Sequence, residues 1–155
     1  MIYSSNLNTV IDQLNVKLRG IQDTDPMLQK IAVSLVSSNI RRIHNESKEV
    51  SGSEITYKRS RKTPTKGAYS RSYATKREKK GRQISKVDFS FTGKLSKEFQ
   101  AAPIPGGWGV GFTTPSGTKI SEFLEQGFGD VWGVTTADKN AINRIVTNEI
   151  NKQLK

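Results

Sequence analysis

The chain has 155 residues, of which 34% are hydrophobic, and its 25 Lys and Arg against 14 Asp and Glu give a formal net charge of +11. That length suits one domain able to bury roughly 70% of its unfolded surface, and the low apolar content predicts a modest core with long exposed parts. With no cysteine and a single histidine, His44, disulfides, thiolate metal sites and His-based metal clusters are all excluded, and no cofactor is implied.

From Met1 to Ile11 no cationic stretch precedes an apolar run, and nowhere do 18 apolar residues follow one another, so the expectation is a protein made in the cytoplasm with no membrane span. Leu7, Val10, Ile11, Leu14, Leu18 and Ile21 recur at helical spacing and predict a first amphipathic helix. Asp23, Thr24, Asp25 and Pro26 restart the chain as a second helix, because short acceptor side chains satisfy free N–H groups and proline suits the first helical position. Its inward residues are Met27, Leu28, Ile31, Ala32, Leu35, Val36, Ile40 and Ile43, and Arg41, Arg42 and His44 stand in its last turn, where cations suit the helix dipole.

The helical period is lost from Ser47 to about Arg82, far beyond the usual loop length. Residues 47–82 are therefore read as a basic extended arm inserted in a single domain, 1–155, and a hairpin fits the even spacings of Ile55 with Tyr57 and Tyr69 with Tyr73 around Pro64 and Gly67. An arm of that kind should be dispensable for folding, so deleting residues 58–82 should leave a folded subunit. After it, Val87, Phe89 and Phe91 alternate with Lys86, Asp88 and Ser90 as in a half-buried strand. Lys94 to Phe99 reads as a short helix, Pro103 to Gly107 as a turn, and Trp108, Val110 and Phe112 as a second strand paired with the first. A helix from Thr118 to Gln126 ends at Gly127, and Thr135 with Asp138, at capping-box spacing, opens a C-terminal helix through Ala141, Ile142, Ile145, Val146, Ile150 and Leu154.

The charge is concentrated. Residues 58–86 hold 12 of the 25 basic residues and one of the 14 acidic ones, Glu78, which leaves 13 of each sign elsewhere. A solvated face would mix signs to limit self-repulsion, so Lys58, Arg59, Arg61, Lys62, Lys66, Arg71, Lys76, Arg77, Lys79, Lys80 and Arg82 are expected to meet a polyanionic partner, with nucleic acid and an acidic protein surface both fitting. No catalytic constellation stands out. His44 sits at a helix end beside two arginines, Glu122 and Glu125 read as surface charge, and the glycines from Gly106 to Gly111 lead into a strand rather than the helix a phosphate loop requires. The chain is therefore expected not to be an enzyme.

Three motifs, in order, carry a family resemblance: Thr92–Gly93–Lys94–Leu95–Ser96, then Glu125–Gln126–Gly127–Phe128 at a helix end, then Trp132–Gly133–Val134–Thr135 with Asp138 opening the last helix. In this order they resemble the phage virion morphogenesis or tail-completion family of head-to-tail joining proteins. Phe123 and Leu124 replace the family's tyrosine–alanine pair, and Asp130 and Val131 stand where it has an arginine. The resemblance implies a structural virion component without a catalytic site. It would form a homo-oligomeric, hexameric ring in the neck or tail terminus and join connector and tail proteins, with genomic DNA in the channel a further partner. A stand-alone protein binding nucleic acid through the basic arm is the alternative. The fold expected is α+β, a small antiparallel sheet packed by N-terminal helices and a C-terminal helix, with the basic arm between them.

Overall fold

The computed structural model describes residues 24–58 and 65–153 and has the α+β arrangement, five α-helices packed with two small antiparallel sheets. The first predicted helix, Leu7 to Ile21, lies outside the described residues.

Helix α1 (Asp25–Ile40) begins where Pro26 and Asp25 favour a first turn. It runs into a π-helical turn, Arg41–Asn45. Met27, Ile31, Ala32, Leu35 and Ile43 are buried as their spacing predicts. The widened turn directs two consecutive side chains inward, Arg42 and Ile43, so Arg42 does not serve as an exposed cation at the helix end.

The sheet behind α1 is a hairpin of β3 (Phe99–Ile104) and β4 (Gly107–Phe112), with Phe99 opposite Phe112 and Ile104 opposite Gly107. Pro105 followed by Gly106 at φ +85° closes it, the residue order a tight turn with a left-handed second position requires. Thus the strand at Trp108–Phe112 forms, but it pairs with residues 99–104, not with residues 87–91. Residues 87–91 form no strand. Their alternation assumed that Asp88 faces water, whereas Asp88 is buried and its Oδ1 accepts the Ser90 amide at 2.9 Å, which bends the chain and sets Phe89 at φ +47°.

The expected extended arm is, in its described part, folded onto the domain. Residues 46–58 dock along the end of α4 (Pro115–Phe128) through Val50 N–H to the Asp130 carbonyl and Lys58 N–H to the Gly127 carbonyl, with Ile55 buried. Strands β1 (Thr65–Lys66) and β2 (Tyr69–Ser70) make a minimal hairpin, and helix α2 (Arg71–Lys79) follows directly. The apolar atoms of Tyr69 and Ala74 enter the core, which is why this stretch does not remain extended despite its charge. Helix α3 (Lys94–Glu98) starts after Gly93 at φ +75° and leads into β3.

Helix α5 (Thr136–Gln153) opens with the reciprocal cap its sequence predicts. Asp138 N–H donates to Thr135 Oγ1 at 3.1 Å, and Thr135 N–H donates to Asp138 Oδ2 at 2.8 Å. Ser38 on α1 donates to the other Asp138 oxygen, tying the two helices at that point. Met27, Ile31, Leu35, Ile142 and Val146 pack between α1 and α5, while a second cluster around Ile43, Ile55, Val87, Phe99, Val131 and Trp132 fills the other side of the hairpin; Val110 packs against both.

Candidate functional site

Two buried arginines organise the ground on which the surface features stand. Arg42 Nη1 donates to the carbonyls of Lys48 and Val131, both at 2.9 Å, and its Nη2 donates to Asn39 Oδ1 at 2.7 Å. Asn39 Oδ1 also accepts the Gly133 amide, so α1 holds the backbone of the Trp132–Gly133 segment directly. Glu125, at the end of α4, accepts the Trp132 amide at 3.2 Å. Trp132 then stacks on Phe89 at 5.7 Å and meets Phe112 edge-on at 5.2 Å.

Arg77 is 1% exposed. Its Nη2 lies 3.0 Å from both Asp88 oxygens, its Nε donates to the Gln83 carbonyl, and its guanidinium sits 4.5 Å from the Tyr69 ring centroid. The Tyr69 hydroxyl donates to Asp88 Oδ1 and accepts the Asp88 amide, both at 3.1 Å. Gln83 Nε2 reaches the second Asp88 oxygen at 2.5 Å, and His44 Nδ1 donates to the Asp88 carbonyl at 2.5 Å. Burial, ahead of every other influence, pushes the Tyr69 hydroxyl up to about 12. This knot anchors α2 to residues 83–90 and is structural in kind, since its charges neutralise one another out of water.

Beside the knot lies an apolar groove of about 670 Å³. It draws its lining from the hairpin and α2 through Tyr69 and Tyr73, from residues Phe89 and Phe91, and from α4 through Ile120, Leu124 and Phe128, with Tyr57 at one edge. Tyr57 and Tyr73 are partly exposed at 44% and 37%, Ile120 at 44%, and Phe123, on the same helix, at 69%. The aromatic rings form contacting sets around the groove, Tyr57 with Phe128, Phe128 with Phe89, and Tyr69 with Tyr73 and then Phe91, so its walls are preformed.

No family model, curated protein or solved structure matches the chain.

The predicted basic residues divide into four groups. Arg59, Arg61 and Lys62 lie outside the described residues. Lys58 pairs with Glu49 at 2.5 Å, whose carboxyl this bond holds below its usual range, and Lys66 pairs with Glu78 at 2.6 Å. Arg77 is withdrawn from any partner-contacting set, because it is buried and its charge is paired with Asp88. Arg71, Lys76, Lys79, Lys80 and Arg82 are exposed on α2 and the turn after it, with no acidic partner among the described residues. Among the described residues no group of three or more His, Asp and Glu could hold a metal, and no helix is long and apolar enough to cross a membrane.

The groove and Phe123 were not legible as a surface. Ile120, Phe123 and Leu124 have the spacing of a core-facing stripe, and only the packing leaves Ile120 and Phe123 exposed.

Proposed function

We propose that the protein is a structural component of a phage neck or tail terminus, closing into a homo-oligomeric, hexameric ring that joins head connector to tail. The observation that carries this reading is the apolar surface made by the groove and the neighbouring Ile120 and Phe123 of α4, preformed and open among the described residues. Contiguous exposed apolar surface of this kind marks an interaction site rather than a solvated face. The family resemblance supplies the type of assembly. Its motif positions support it by lying at joints of the fold: Gly93 at the start of α3, Glu125 on the Trp132 amide, and Thr135 with Asp138 at the cap of α5.

In such a ring the groove and the Phe123 side of α4 form one half of a head-to-tail contact between copies, whose rotation closes the assembly. The basic residues would then recur around the axis, toward connector and tail proteins or the DNA passing through. The subunit acts by position and contact, in the virion, and needs no cofactor.

Native mass spectrometry at micromolar concentration tests the ring. The wild-type chain is expected as a closed oligomer and the Ile120→Asp/Phe123→Asp variant as a folded monomer with an unchanged circular dichroism spectrum. A wild-type chain that stays monomeric across a hundredfold concentration range contradicts the proposal.

A further inference from the structure

We infer that the exposed face of α2, with the turn that follows it, binds the phosphate backbone of duplex DNA. The cations come from five residues within twelve positions, Arg71, Lys76, Lys79, Lys80 and Arg82, all exposed and none with an acidic partner among the described residues. The single acid on the helix, Glu78, is occupied by Lys66. The buried cation of this stretch, Arg77, is neutralised by Asp88, so folding sorts the segment into a neutral buried side and a predominantly positive outer one, on which Lys76 also lies 5.5 Å from the Phe91 ring centroid.

Charge complementarity calls for a polyanion, and the kind of side chain on the face selects which. Protein–protein interfaces are depleted in Lys at their centres and enriched in aromatic and apolar anchors. The exposed residues of α2 are instead mostly Lys, Arg, Ser72 and Thr75, types that contact phosphate oxygens; Glu78, also exposed, is paired with Lys66, and Tyr73 turns to the groove. The apolar anchors of this region lie in the groove. A helix anchored through the Arg77–Asp88 knot presents these groups without further ordering, which lowers the entropy lost on binding. Contacts to the phosphate backbone carry no sequence information, so binding through them is independent of sequence and strongly dependent on salt.

With about five phosphates neutralised, the slope of log affinity against log salt is about −4.5, a loss of about 500-fold between 50 and 200 mM salt. Fluorescence anisotropy with a labelled 30-base-pair duplex of scrambled sequence reads this. The full-length chain is expected to bind at 50 mM salt, and Lys79→Ala/Lys80→Ala/Arg82→Ala is expected to reduce the slope by about three. A control with the same charge change elsewhere, Lys119→Ala/Lys139→Ala/Arg144→Ala, all exposed on α4 and α5, is expected to keep the wild-type slope. Circular dichroism confirms that both triples fold. Absence of binding at 50 mM salt overturns the proposal; equal loss in the two triples overturns it by showing an effect of net charge alone. The ring reading is tested separately by oligomeric state, so a ring that ignores DNA and a monomer that binds it are distinct results.

Discussion

At the scale of single residues, the side chains that matter most are polar ones taken out of water. Asp88 satisfies its carboxylate with Arg77, Tyr69, Gln83 and the Ser90 amide, and a buried pair of this sort is costly to break because the surviving charge is left unpaired. Tyr69 makes the arrangement sensitive to high pH. Its hydroxyl, raised by burial from its ordinary value of 10.0 to about 12, stays protonated in the folded chain where the unfolded chain has begun to ionise. Over that window the native state binds more protons than the unfolded state, so stability falls as pH rises. Below pH 10 this contribution is constant; between pH 10 and about 12 it is lost. Urea denaturation of the wild type and Tyr69→Phe across that range checks it, since the variant should be less stable at pH 8 and show the shallower decline above pH 10.

At the scale of elements, the short hairpin depends on one glycine. Gly67 has φ +61°, and a Cβ there would fall on the Ile84 carbonyl, the group that also accepts the Ala68 amide. Gly81, after α2, has φ +65° with open space around it. The pair separates backbone strain from collision. Gly81→Ala should cost about 1 kcal/mol, the penalty for a left-handed side chain, whereas Gly67→Ala should exceed about 2 kcal/mol by forcing the hairpin off residues 83–86. Thermal denaturation of the two variants measures the difference, and equal costs would show that the hairpin is not held against Ile84. The same elements show how sequence patterning misleads. Residues 87–91 have the period of a strand, but one buried carboxylate inside the run breaks it. The Thr135–Asp138 cap follows from four residues of chain and needs no knowledge of the rest, so it was legible in full.

At the scale of the whole molecule, the described part of the basic stretch belongs to the domain. Removing residues 58–82 takes away Tyr69 and Ala74 from the core and leaves Asp88 without Arg77. That deletion is therefore expected to give a chain without cooperative unfolding, visible as a broadened thermal transition and increased binding of a hydrophobic dye. A sharp transition near the wild-type temperature would show that the core is closed without α2. The charge of this stretch is tested through its exposed residues, by substitution.

The sequence by itself determined helices α1 and α5, the cap of α5, the turn before Trp108 and the concentration of charge, because each depends on neighbours a few residues away. Only the tertiary structure decided which strand pairs with Gly107–Phe112, which cation is buried and which apolar residues stay outside. Those outcomes depend on partners distant in the chain: Asp88 draws Arg77 inward, and Phe99–Ile104 occupies the edge that residues 87–91 were expected to take. A side chain's type states what it costs to bury, and the fold states what is there to meet it.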